Sequence, residues 1–132
     1  MEIRDQKSFW LALAWAVFLF VLSSIPSDAF PELKEPLGFD KLIHLLLYGV
    51  LGALGLRGWP GRNISPWIVF VFCVGYGVTD ELHQYFVPGR TPDIWDWLAD
   101  TVGSLIGVLG MWGWMRAHKG SYSGLNGGSG NV

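Results

Sequence analysis

Residues 79–100 read TDELHQYFVPGRTPDIWDWLAD, and the fold turns on whether this stretch is a polar loop or the ends of two helices. It gathers five carboxylates, one histidine, one arginine, one glutamine and two prolines in a chain that is 51% hydrophobic and only 15% charged. Upstream, the apolar run from Pro66 to Val78 is thirteen residues long. A helix needs about 20 residues to cross a hydrocarbon core. The run must therefore continue through Asp80, Glu81 and Gln84 to about Phe86, which puts those polar groups inside the membrane. The loop proper then shrinks to about Val87–Thr91, with Pro88 and Gly89 as turn residues. Thr91 is placed to cap a following helix, with Pro92 at its first position.

Working outward, the rest of the 132 residues is mostly apolar helix and short connection. Soluble domains carry about 25% charged residues, so this composition suggests an all-α membrane protein. Four transmembrane helices are expected, over about residues 8–24, 39–56, 66–86 and 92–114. The first follows Arg4 and Lys7 and ends before Pro26; without an Ala-x-Ala site after it, it reads as a span in preference to a cleaved leader. Residues 26–38 carry three prolines and three acids and read as a water-exposed loop, while Gly58, Pro60 and Gly61 mark a tight turn. The Gly, Ser and Asn of 120–132 read as a disordered tail. Arg4, Lys7, Arg57, Arg62, Arg116 and Lys119 fall on one side of such a bundle. Lys34, Lys41 and Arg90 fall on the other, so both termini are expected in the cytoplasm. The chain has no basic patch of the kind nucleic acid requires. Its single cysteine, Cys73, excludes an intrachain disulfide and reads as a small buried hydrophobe.

Helical periodicity aligns the polar residues. Lys41, His44, Tyr48, Gly52 and Gly55 share one face of the second helix. Cys73, Tyr76 or Gly77, Asp80 and Gln84 share one of the third, with Glu81 beside them, and Asp93, Asp96, Asp100, Gly103, Gly107 and Gly110 form one stripe on the fourth. At about 1.5 Å per residue, His44, Asp80 and Asp100 each lie roughly 7 to 10 Å below the outer boundary. An Asp facing lipid at mid-helix costs about 2.5 to 3.5 kcal/mol. These groups must therefore face the bundle interior, be paired with Lys41, His44 or Arg90, or be protonated.

Plainer readings stand beside these. Asp93 suits a helix start by its charge alone, and Gly103 with Gly107 suits close helix packing. His83 is offset from the acid stripe and reads as peripheral. Trp95, Trp97 and Tyr85 read as interfacial anchors. Arg90 is placed for a salt bridge or an anion contact, and Ser104 faces away from the acids.

Ser23-Ser24-Ile25-Pro26, Asp40-Lys41-x-x-His44-x-x-x-Tyr48, Asp80-Glu81-x-x-Gln84, Pro88-Gly89-Arg90 and Asp93-x-x-Asp96-x-x-x-Asp100-x-x-Gly103-x-x-x-Gly107 occur in that order. Together they resemble the VanZ-like family of small bacterial membrane proteins, across about residues 23–110. The position of Asp100 is often Asn in that family. The resemblance implies a multi-pass protein of the bacterial cytoplasmic membrane and an association with lowered susceptibility to teicoplanin-type glycopeptides; it implies no assigned reaction or cofactor.

Three functions fit the residues. One is an enzyme in which Asp80, Glu81, His44 and Asp96 act as acid, base or ligands to a divalent cation, on a lipid-linked phosphate at the outer leaflet. Arg90, Lys41, Gln84, Asp93, Asp100 and Tyr48 would then bind the substrate. Another is a non-catalytic binder of an envelope lipid or a glycopeptide at the same place. The third is a proton or ion path through the intramembrane acids, against which the cytoplasmic halves of the helices offer no matching polar residues.

Overall fold

A computed structural model describes residues 6–29, 38–60 and 64–123. Its described elements are α1 (Gln6–Ser23), a short 3-10 turn (Ser27–Ala29), α2 (Phe39–Gly58), α3 (Pro66–Gln84) and α4 (Ile94–Ser123). The expected all-α architecture with four helices is present, with α4 longer than expected. Residues 120–123, expected in the tail, continue that helix, and 124–132 lie outside the described residues. Most of the expected loop between α1 and α2, residues 30–37, lies outside them as well.

Local chemistry sets the boundaries. Gly38, at φ 97°, precedes α2 in a backbone conformation that costs glycine little. Pro66 opens α3 at a position where its missing N–H is no loss. Between α3 and α4, the Arg90 N–H donates to the Val87 carbonyl at 3.1 Å, with Pro88 and then Gly89 (φ 75°) between them. That is the residue pattern of a type II turn. The expected cap at Thr91 is not used: α4 begins at Ile94, and Asp93 caps it instead, its Oδ1 accepting from the Trp95 N–H at 2.9 Å. An acid binds an open helix start more strongly than a hydroxyl does, since it adds charge to the hydrogen bond.

Consecutive helices run antiparallel. α1 contacts α2 and α3, α4 contacts the same two, and α1 and α4 do not meet among the described residues. The section is a rhombus, with α2 and α3 across its short diagonal. The most extensive pairing is between α2 and α4, which run parallel. Their backbones meet at small residues. A Cβ on Gly103 would collide with the Leu45 carbonyl, one on Gly107 with the Gly49 carbonyl, and one on Gly52 with the Ser104 carbonyl. Gly103 and Gly107 thus act as packing residues. Gly110, expected in the same stripe, has nothing within 4 Å of its would-be Cβ, so the contact ends before it. At the far end Gly58 lies against the backbone of Ser8 and Phe9, bringing the start of α1 to the end of α2.

The interior is polar for so small a bundle, while the outside is apolar. Asp80, Glu81, Gln84, Asp100 and Ser104 are buried, whereas Phe18, Leu46, Phe72 and Ile106 are exposed, one on each helix. α1 and α2 are each long and apolar enough to cross a membrane. α3 and α4 do not reach that composition, with Asp80, Glu81 and His83 near the end of one and Asp96 and Asp100 near the start of the other.

Substitution separates the two kinds of glycine. Gly107→Ala, which puts a methyl against a main-chain carbonyl, is expected to destabilise the purified protein by about 1 to 3 kcal/mol. Gly110→Ala should leave it unchanged or slightly stabilised, by up to about 1 kcal/mol of helix propensity. Thermal unfolding in detergent compares the two.

Candidate functional site

The parallel register of α2 and α4 sets Lys41 beside Asp93 and Asp96, and His44 beside Asp96 and Asp100. The Lys41 Nζ lies 2.7 Å from Asp40 Oδ2, 2.9 Å from Asp93 Oδ2 and 2.5 Å from Asp96 Oδ1. One turn deeper, His44 Nδ1 lies 2.9 Å from Asp100 Oδ1 while its Nε2 faces Asp96 Oδ2 at 3.7 Å. Exposure falls along this line, from 36% of the Asp93 side chain through 15% for Asp96 to 1% for Asp100. An imidazole with a carboxylate at each nitrogen can receive a proton on one side and release it on the other.

α3 supplies the third wall. Glu81 Oε2 accepts the backbone N–H of Asp93 at 2.8 Å, so a side chain of α3 helps hold the first turn of α4. Its Oε1 is buried without a hydrogen-bond partner, as are Asp80 Oδ1 and Asp100 Oδ2. Tyr48 is 2% exposed, and its hydroxyl lies beside Asp80, with Asp100 as a further neighbour. Gln84 is buried on the same helix. Gly77 lets α4 approach: a Cβ there would lie 3.2 Å from Trp97 Cδ1 and 3.6 Å from Asp100 Oδ2.

Of the ten residues expected to form the site, eight come together in this region, Gln84 is buried farther along α3, and Arg90 is placed differently. Its Nε donates to the Ile25 carbonyl at 3.1 Å and its Nη2 reaches the Leu22 carbonyl at 3.4 Å. These are main-chain acceptors at the end of α1, where a cation complements the helix dipole. His83 is peripheral to the acids. It stacks on Phe20 and meets Ser24 Oγ at 2.8 Å, a second tie between α3 and the end of α1. Trp95 and Tyr85 are exposed, consistent with interfacial anchors. Trp97, expected among them, is half-buried and directs its indole N–H toward the Val74 carbonyl at 3.4 Å. Ser104 is fully buried at the Gly52 contact, with Cys73 as a neighbour. Missing from the sequence reading are the Glu81 contact to Asp93 and the Ser24–His83 pair. No local pattern encodes either, since each joins separate helices.

A divalent cation does not fit this arrangement. No three His, Cys, Asp or Glu side chains among the described residues are gathered closely enough to hold one. Three of the acids are instead drawn to the Lys41 ammonium. His44, Asp80, Glu81 and Asp96 line one region without converging on a point.

Two consequences can be measured. Glu81→Ala removes a charged acceptor from the Asp93 amide, at a cost of about 2 kcal/mol. Hydrogen exchange at that amide should rise, while Glu81→Gln, which keeps an acceptor, should retain most of the protection. Asp93 precedes α4, and its contact with Lys41, followed by the Trp95 N–H, holds its carboxyl below the usual carboxylate range. Its folded value is lower than its unfolded one, so its contribution is present above the ordinary range and is lost as pH falls through the lowered value. Acid unfolding of Asp93→Asn should accordingly show a shallower pH dependence than that of the parent chain.

Comparison with curated proteins and comparison with solved structures each find no match to this chain. The model of the VanZ/LLP1 family does match, over residues 5–116, a span that takes in all of α1, α2 and α3 and α4 as far as Arg116. Family membership and two apolar helices with exposed faces make this a membrane protein. The chain belongs to the VanZ/LLP1 family.

Proposed function

We propose that all four helices cross the bacterial cytoplasmic membrane with both termini in the cytoplasm. The site then opens toward the outer leaflet, where it engages the headgroup of an envelope lipid or lipid-linked precursor. The observation that carries this reading is the cluster of Lys41, His44, Asp96 and Asp100, running from a half-buried lysine to a buried aspartate, at one end of a bundle whose exposed faces are apolar on every helix. Ionisable groups inside a membrane are expensive, and they mark binding sites or pathways. The distribution of cations supports the orientation. The start of α1, with Lys7, packs at Gly58 near the end of α2, and Arg57 lies over Trp114 near the end of α4. These basic residues share the end opposite the acids, as cytoplasmic ends do.

On this reading Lys41 and the acids around it form the mouth, while Asp80, Glu81, Asp100, Gln84 and Tyr48 form the interior. His44, between Asp96 and Asp100, is the group placed to move a proton if the headgroup undergoes a chemical step. Engagement of a lipid-linked cell-wall precursor, or of the glycopeptide that targets it, would give the lowered teicoplanin susceptibility associated with the family.

The test is genetic and chemical together. In cells that depend on this chain for an envelope phenotype, His44→Gln and Asp80→Asn are expected to remove at least about nine-tenths of the effect, the scale of one lost charged contact. Asp28→Asn, on an exposed residue beyond α1, should retain it. Membrane levels of each variant serve as the folding control. Full activity of both site variants at normal levels would exclude the proposed site. Lipid mass spectrometry of the same cells separates an altered lipid, the product of catalysis, from protection without chemical change.

A further inference from the structure

We infer that Asp100 is the positioning residue for His44: it keeps the proton on Nδ1, which leaves Nε2 as the atom that exchanges a proton with a hydroxyl or water oxygen at the bound headgroup. This rests on the headgroup reading above and goes beyond it by assigning a proton transfer and the nitrogen that carries it.

The two carboxylates that flank the ring are not equivalent. Asp100 Oδ1 lies 2.9 Å from His44 Nδ1, within hydrogen-bond distance, on a side chain only 1% exposed. An ionised carboxylate can only accept, so Nδ1 is the donor. Asp96 Oδ2 lies 3.7 Å from Nε2, too far for a hydrogen bond. The other oxygen of Asp96 meets the Lys41 ammonium at 2.5 Å, so a cation already offsets its charge. The ring is thus fastened at one nitrogen, while the other faces Asp96, one turn nearer the mouth.

The pair is held where the scaffold is least able to move. His44 immediately precedes Leu45, whose carbonyl a Cβ on Gly103 would strike, and Asp100 lies one turn before Gly103 on the opposing helix. From α3, a Cβ on Gly77 would come within 3.6 Å of Asp100 Cβ and Oδ2, so the third helix closes behind the carboxylate. A hydrogen bond at this place fixes the direction of the ring as well as its proton. That is the part a buried carboxylate plays behind the histidine of a catalytic triad.

The step balances within the site. Nε2 uses its lone pair to take a proton from a hydroxyl or water oxygen; the O–H bond breaks as the N–H bond forms, and the electron pair stays on the oxygen. The imidazolium that results has Asp96 and Asp100 of α4 and Glu81 of α3 as negative neighbours, with Lys41 of α2 beyond Asp96. Return of the proton from Nε2 to an oxygen restores the ring.

The test uses the full chain in detergent micelles with isotopically labelled histidine and reads the ring nitrogens by magnetic resonance, the His44 signals being those lost in His44→Gln. As pH is raised until the ring is neutral, Nδ1 is expected to keep its proton and Nε2 to lose it. Asp96→Asn should leave that assignment unchanged. In Asp100→Leu the remaining carboxylate is Asp96, and the proton should stay on Nε2 instead. In cells, with membrane levels as the control, Asp100→Leu is expected to slow formation of the altered lipid by about a hundredfold, as His44→Gln does. The double variant should be no slower than either alone, because Asp100 acts through His44. A neutral ring that carries its proton on Nε2 in the parent chain, or divides it between the two nitrogens, overturns the inference, and this measurement decides even if Asp100→Leu does not fold. A proton moved by Asp96→Asn overturns it too, as does a double variant slower by the product of the two single losses. An envelope phenotype lost in His44→Gln with no altered lipid in any of the cells overturns the proton transfer and leaves headgroup binding standing. A phenotype retained in His44→Gln at normal levels overturns both.

Discussion

The close approach of α2 and α4 is the constraint on which the other features depend. At Gly49, Gly52, Gly103 and Gly107 the two backbones are separated by little more than the hydrogens on the α carbons. Helices that run parallel at this distance hold their side chains in fixed register above the contact. Lys41 then has to meet Asp93 and Asp96, and His44 has to meet Asp96 and Asp100. The polar cluster is set by main-chain geometry below it, in a solvent where apolar burial contributes little to holding helices together. A side chain at Gly52, Gly103 or Gly107 would separate the helices and pull apart the ion pairs.

α3 completes the site without sharing that register. It approaches α4 through Gly77 and Trp97, and it carries Asp80, Glu81 and Gln84 into the interior. α1 contributes from outside, bound by the Tyr76 hydroxyl to the Ala16 carbonyl, by His83 to Ser24 and by Arg90 to the end of the helix. With three carbonyls in and just after it held by side chains of other segments, α1 can be nearly all hydrocarbon and still have a defined place.

Much of this was legible in the sequence because helical periodicity is a strong signal when polar residues are scarce. The three stripes placed Lys41, His44, Asp80, Asp96 and Asp100 on facing surfaces, and a count of residues needed to span a membrane moved Asp80, Glu81 and Gln84 from loop to helix. Pro88-Gly89 marked the turn where it is found. What could not be read was the choice among competing partners. Thr91-Pro92 and Asp93 are both reasonable helix starts, and the decision for Asp93 comes from Lys41 and Glu81, which approach from other helices. Arg90 lies between two acidic helix ends in sequence. In space the open carbonyls of α1 are closer, and no spacing along the chain reports that.

Glu81 illustrates what such an arrangement does to the meaning of a single residue. One of its oxygens secures the entry of the chain into α4, and the other faces the interior without a partner. The same carboxylate is both a fastener of the scaffold and part of the surface the scaffold presents. A hydrogen bond accepted by the second oxygen would polarise the first, so one planar group joins the interior of the bundle to the start of α4.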